Sequence, residues 1–259
     1  MKKLIYVCIK DVLSSENLPT IDTSTGLLEC ESWTSNLLDM YALQAALAIS
    51  AKTELEVVVV TAGRPEAAQS LRSALALGAQ RGVLITPTPP LQNPESIARI
   101  LAKCIKDDAE EHGAEAKLIF CGRQSSDFAW MQVHYRLAAQ MGFNMVNDAV
   151  ALEVGERSAH ISRSIATATE YIEVDLPCVI GMCRGPEDIP RPSLRGLYKA
   201  RTREISIKAP PNLDPNIPCP RLIGIESRPE FRSCWMIQGA SAEEKTRNLV
   251  SMLRGDGLI

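Results

Sequence analysis

Four short runs of apolar residues punctuate the first half of this chain, and they constrain its fold more than any other feature. They are Leu4 to Ile9, the EVVVVT run from Glu56 to Thr61, Val83 to Ile85, and Leu118 to Cys121. Continuous apolar runs of this length read as strands buried on both faces of a parallel sheet. Each is followed by a segment of helical periodicity. Asn36 precedes Leu37, Leu38, Tyr41, Leu43, Ala45, Ala46 and Ile49; Pro65 opens a helix to about Leu77, which Gly78 ends; Ser96 to about His112 carries Ile97, Ile100, Leu101, Cys104 and Ile105 on one face. The fourth run leads through Gly122 into a helix reaching about Gly142, for which Ser125, Ser126 and Asp127 each offer an N-cap. Strand and helix alternating four times specify an α/β chain, a doubly wound, mostly parallel Rossmann-like sheet with right-handed crossovers.

The second half differs. Val146–Val154, Ser158–Ile165, Glu170–Val174 and Cys178–Met182 are short strands separated by turn signals, and predict an antiparallel extension of the sheet. Residues 184 to 196 hold Gly185, Pro186, Pro190, Pro192 and Gly196 and predict a long irregular loop. Lys199 to Ile207 has strand character, with Lys199, Arg201 and Arg203 on one face. Five prolines between 209 and 220 predict an extended arm, and Ala242 to about Arg254 a last helix capped by Ser241. Residues 13 to 35 are polar and predict a loop with a short hairpin around Thr25-Gly26. The expected organisation is an α/β domain over residues 1–200 and a C-terminal arm and helix over 201–259.

Among 259 residues, 46% are hydrophobic and 23% charged, enough apolar content for a packed core. A net charge of −3 argues against a nucleic-acid or anionic-membrane surface. No apolar run has transmembrane length, and the apolar N-terminal run, closed by Lys10-Asp11, is too short for a signal peptide. Cys8, Cys121 and Cys178 sit inside apolar runs, which suits free thiols in a reducing compartment. The expectation is a cytoplasmic protein. Of eight cysteines only Cys178 and Cys183 are close, with no second pair or nearby His, so no metal site is expected.

Familiar catalytic signatures are missing. No glycine-rich dinucleotide fingerprint follows the first strand, no phosphate-binding P-loop occurs, and His112, His134 and His160 are far apart in the chain. What remains are strand ends bearing small or capping residues: Cys8, Asn36, Ala62-Gly63, and the stretch from Gly122 to Gln132. In a doubly wound sheet these converge where strand order reverses, the position at which such sheets take ligands. Backbone amides and small side chains there suit a mononucleotide, although tight turns alone would also place glycines after strands.

Several blocks resemble a known family. Leu4 to Val12 (LIYVCIKDV) is similar to the opening strand and V-x-x-K-x-V pattern of the β subunit of electron transfer flavoprotein. Asn36 to Ala46 is similar to that family's N-P-F-[DC]-E-x-A-x-E-x-A helix, with Asn36, Asp39, Ala42 and Ala46 matching. The most specific block is Leu71 to Gly82, LRSALALGAQRG, against L-R-x-A-L-A-M-G-A-D-R-G. Gly122-Arg123-Gln124 and Asp127 match G-[KR]-Q-x-x-D, and Leu176-Pro177 and Lys199-Ala200 match later motifs.

The resemblance implies an adenine-nucleotide-binding type of α/β fold and an electron-carrier subunit without catalytic residues of its own. It implies a heterodimer with an α-like subunit that holds most of the FAD, contacted by the C-terminal arm. It implies a dehydrogenase docking at the 184–196 loop, and a buried AMP in ordinary members or NAD in flavin-bifurcating ones. The implied cofactor-binding residues are Cys8, Asn36, Asp39, Ala62, Gly122, Gln124, Asp127, Gln132 and Val133. Two departures stand out. Ala129, Trp130 and His134 replace an acid, a Cys or Thr, and a Gly of the nucleotide motif. These predict a modified or weakened nucleotide site, in which Trp130 either fills the pocket or stacks on a base. In the docking loop Pro186 stands where the family has its anchoring Leu, which predicts a different partner dehydrogenase. The alternative is a stand-alone regulatory module that binds an adenine nucleotide without flavin.

Overall fold

The structure, a computed structural model, describes residues 2–14, 20–21, 28–29, 32–87, 93–185, 188–212 and 234–259. Its elements in order are β1 (Lys2–Cys8), β2 (Asp11–Leu13), β3 (Thr20–Ile21), β4 (Leu28–Glu29), β5 (Trp33–Ser35), α1 (Leu37–Ser50), β6 (Glu56–Ala62), α2 (Ala68–Leu77), β7 (Arg81–Ile85), α3 (Pro94–Glu111), β8 (Ala114–Gly122) and α4 (Val133–Met141). There follow β9 (Asn144–Val154), β10 (Ser158–Ile165), β11 (Ala168–Asp175), β12 (Cys178–Met182), α5 (Leu194–Thr202), β13 (Ile205–Lys208) and α6 (Ala242–Gly255). A 3-10 turn, Pro65–Ala67, leads into α2. The chain forms two compact units, Met1–Ile223 and Gly224–Ile259.

The four apolar runs are all strands of one nine-stranded sheet, in the order β11-β10-β9-β12-β8-β1-β6-β7-β13. Strand order reverses at β1: the chain moves outward through β6 and β7, then crosses back to β8 on the other side of β1. Its central strands are buried on both faces, whereas the β10–β11 edge is largely exposed. One layer packs Ile5, Val7, Val57 and Phe120 against α1, α2 and Ala200 of α5; the other packs Leu4, Tyr6, Val58 and Ile119 against α3 and α4. Each such side chain taken out of water contributes about 1.5–3 kcal/mol.

Five expectations need correction. Pro94 takes the first helical position and Asn93 caps α3 by accepting from Ser96 N at 2.7 Å, so that helix starts two residues before Ser96. The second half is only partly antiparallel. β12 runs parallel between β8 and β9, and β10 and β11 alone form the antiparallel extension. Residues 199 to 203 are not a strand: Leu194–Thr202 is helix α5, capped by Ser193, and only Ile205–Lys208 pairs, parallel to β7. The 184–196 loop therefore ends at Ser193. The helix after β8 begins at Val133, eleven residues beyond Gly122, so Ser125, Ser126 and Asp127 cap nothing. Thr25-Gly26 and the arm from residue 213 lie outside the described residues; β3 and β4 pair on either side of the former.

The packing of α5 explains why its helical state wins. A Cβ on Gly196 would lie 2.3 Å from Ala76 O, so only glycine allows this approach to α2. Arg72 of α2 donates through Nη1 to Ala200 O and Arg203 O, both at 2.6 Å. These orphan carbonyls at the end of α5 are thus satisfied by a cation. On the opposite face of the sheet, Asp108 is fully buried and accepts a bidentate pair from Arg81 at 2.5 and 2.6 Å and the Tyr6 hydroxyl at 2.7 Å. Burial raises its carboxyl, but these donors override burial and hold it below its usual value.

Candidate functional site

β1 and β8 end side by side at the switch point, and the residues after them meet the N-terminus of α1 there. Asn36 is the N-cap of α1 by position, but its side chain does not cap the helix. Instead it donates to Gln124 O at 2.9 Å and accepts from Ser126 N at 3.2 Å, so it fastens the loop after β8. Asp39, in the first turn of α1, is 6% exposed and accepts from Lys10 N at 2.7 Å and Gly122 N at 2.8 Å. One carboxylate thus ties together the exits of β1 and β8. Burial pushes it up to about 6, against the lowering pull of those two amides and the Asn36 side chain. Gly122 is required at this point. A Cβ there would lie 2.4 Å from Asp39 Oδ1 and 2.8 Å from Asp39 N.

Lys10 completes the arrangement. Its Nζ pairs with Asp127 at 2.6 Å and lies 4.8 Å from the Phe128 ring centroid. Burial pushes the Asp127 carboxyl up, but Lys10 wins and holds it below its usual value. Phe128 N also donates to Asp127 Oδ1 at 2.7 Å. The acid that looked like a helix cap is therefore the anchor of a loop.

The other expected residues take varied places. Cys8 and Cys121 end β1 and β8 as buried neighbours, and the Cys8 thiol, together with burial, pushes Cys121 up. Ala62 ends β6 and packs on the α3–α4 layer, as does Val133, but neither joins the Asn36–Asp39–Asp127 constellation by a hydrogen bond. Gln132 is the N-cap of α4 by position; its side chain instead accepts from Arg136 Nε at 3.1 Å and Nη2 at 2.8 Å. The first turn of α4 has no side-chain cap.

The departures from the family motif have structural counterparts. Trp130 is 37% exposed, so it does not fill a closed pocket. His134 is 1% exposed, and burial pushes it down to about 4 against the charge of Asp148. It fits because residue 181 is glycine: a Cβ there would lie 2.2 Å from Asn147 Oδ1 and 3.1 Å from His134 Cδ2. Nothing in the sequence pattern pairs positions 134 and 181.

Sequence reasoning missed a second polar cluster just beyond β1. Arg64 pairs with Asp11 at 3.0 Å, lies 3.6 Å over the Trp33 ring, and shares Asp11 with the Ser70 hydroxyl at 2.8 Å. It lines a cavity of about 510 Å³ with Thr34, Glu66 and Ser73. Among the described residues no three His, Cys, Asp or Glu side chains are grouped to hold a metal ion, and no helix is long and apolar enough to cross a membrane.

The chain's likeness to known proteins agrees with this geometry. The family model for the electron transfer flavoprotein domain matches residues 27–208. Electron transfer flavoprotein subunit beta of Bacillus subtilis is 28% identical over 261 residues, 98% of this chain and 99% of the relative. Protein FixA of Azorhizobium caulinodans is 30% identical over 209 residues, 78% of this chain and 74% of the relative. The caffeyl-CoA reductase–Etf complex subunit CarD of Acetobacterium woodii is 28% identical over 273 residues, covering 98% and 99%. The matched family and the Bacillus subtilis relative are both named for electron transfer and a flavoprotein. A doubly wound sheet, an Asn36–Asp39 helix start clasping the Gly122 loop, and a match over most of the chain meet in one assignment: this chain belongs to the electron transfer flavoprotein family.

Proposed function

We propose that the chain is the β-like subunit of a two-chain electron carrier. Its partner is an α-like subunit that holds FAD, and the pair passes electrons between a dehydrogenase and a redox acceptor. The observation that carries this reading is the near end-to-end match to a named β subunit. The chain's own residues supply scaffolding rather than chemistry. Asn36, Asp39 and Lys10 hold the loop after β8 in place.

Within this reading the switch point takes an adenine nucleotide, AMP or NAD, with Cys8, Asn36, Asp39, Ala62, Gly122, Gln124, Asp127, Gln132 and Val133 around it. The uncapped first turn of α4 supports placing the phosphate there. The segment 201–259 is assigned to the partner subunit, since α6 buries none of its residues within the chain. The 184–196 loop is assigned to the dehydrogenase. It runs into α5, where Leu194 is 87% and Tyr198 73% exposed, an apolar pair suited to a protein contact. Buried thiols such as Cys8, Cys121 and Cys178 suit a reducing compartment, and the pair is assigned to the cytoplasm.

The test is co-expression with an α-like subunit of the same family. A co-purifying complex with a flavin absorption spectrum supports the reading; a chain that elutes alone and colourless contradicts it.

A further inference from the structure

The loop between β8 and α4 carries an exposed apolar group that the scaffold does not use. Phe128, Trp130 and Met131 are 42%, 37% and 40% exposed. Ala129 and Met131, on either side of the indole, have φ of 48° and 54°, a region that non-glycine residues seldom adopt. Such backbone persists only where the surroundings over-determine it. The loop leading up to the indole is fixed: Asn36 holds Gln124 and Ser126, Ala129 N donates to Ser125 O at 3.1 Å, and Lys10 pairs with Asp127 while lying against the Phe128 ring. The indole is thus presented to solvent on a pinned loop at the mouth of the switch point. A fixed aromatic ring loses little conformational freedom when a ligand settles on it.

We propose that Trp130 is the stacking surface for the base of an adenine nucleotide bound at this switch point. The inference rests on the nucleotide reading above and adds to it the part of the ligand that is recognised. Recognition by ring stacking on an exposed indole makes the base, rather than the phosphate alone, the main determinant of affinity. Every purine presents a π-face, so AMP and the adenosine half of NAD are held alike.

The experiment is calorimetric titration of AMP, NAD and ribose 5-phosphate into the full chain in its co-purified complex, with Trp130→Ala and Trp130→Phe variants. Stacking on one aromatic ring corresponds to roughly 5- to 150-fold in affinity. Trp130→Ala is expected to weaken AMP and NAD by that factor and to leave the base-less ribose 5-phosphate unchanged. Trp130→Phe, which keeps a ring and serves as the check on folding, retains most of the affinity. Equal AMP affinity in wild type and Trp130→Ala overturns the proposal while the nucleotide reading stands. Equal weakening of AMP and ribose 5-phosphate also overturns it, since the loss is then not of stacking. No binding of AMP or NAD by the wild type overturns the nucleotide reading itself. A Trp130→Ala chain that keeps AMP but no longer co-purifies with its partner assigns the patch to protein contact and overturns the proposal.

Discussion

Asp39 accepts from the backbone at the exits of both β1 and β8, and its replacement by Asn gives a measurable pH signature. Burial raises its carboxyl from the usual 3.8 to about 6. At about 1.36 kcal/mol per pH unit, a difference of roughly two units is worth about 3 kcal/mol. The sign follows from proton counting. Between pH 4 and 6 the folded state holds a proton that the unfolded chain has released. The contribution is therefore present in full below the unfolded value and is lost as pH rises through 6. Asp39→Asn removes that titration. It also carries a pH-independent cost, because Asn offers one acceptor to the two amides of Lys10 and Gly122. The quantity to measure is the unfolding free energy of the variant minus that of the wild type, from urea titrations followed by circular dichroism at pH 4 and pH 7. The difference is expected to move by about 2–3 kcal/mol in favour of the variant on going to pH 7. A difference independent of pH, or one moving the other way, refutes the reasoning. Taking the difference matters because His134 works in the opposite sense. Its folded value of about 4 lies below the usual 6.5, so its contribution is lost as pH falls from 6.5 towards 4. The two groups mask each other in the wild type.

Gly122→Ala drives a Cβ into Asp39 and the backbone of Leu38, and is expected to cost about 1–3 kcal/mol, seen as a lowered thermal midpoint, together with loss of retained nucleotide. Asp108→Ala leaves Arg81 buried without its carboxylate and is expected to cost about 3–5 kcal/mol in denaturant unfolding, with nucleotide retention in the surviving folded fraction unchanged. Leu194→Ala on α5 is expected to slow flavin reduction by the partner dehydrogenase at least several-fold in stopped-flow measurements while leaving the flavin spectrum intact.

The sheet was legible because parallel strands buried on both faces must be apolar throughout, as EVVVVT is, and because Gly78, with φ of 140°, has no substitute at the end of α2. The convergence of Asn36 and Asp39 on Gly122 and the Gln124–Asp127 loop was legible for a topological reason: reversal of strand order forces those ends together. The failures share another cause. Ser125, Ser126 and Asp127 carry the local chemistry of a helix start, yet Asp127 is claimed by Lys10, more than a hundred residues earlier in the chain. Lys199, Arg201 and Arg203 alternate like a strand, yet Gly196 seated against Ala76 and Arg72 gripping Ala200 O decide for a helix. Both decisions are made by contacts distant in sequence, which periodicity does not record. The pairing of His134 with Gly181 is of the same kind.

If this chain is one half of a flavin-bearing electron carrier, native mass spectrometry of the complex purified with an α-like chain shows one copy of each, and the nucleotides released on denaturation include FAD with an adenine nucleotide beside it. A lone chain releasing no flavin, with or without AMP, contradicts the proposed pairing.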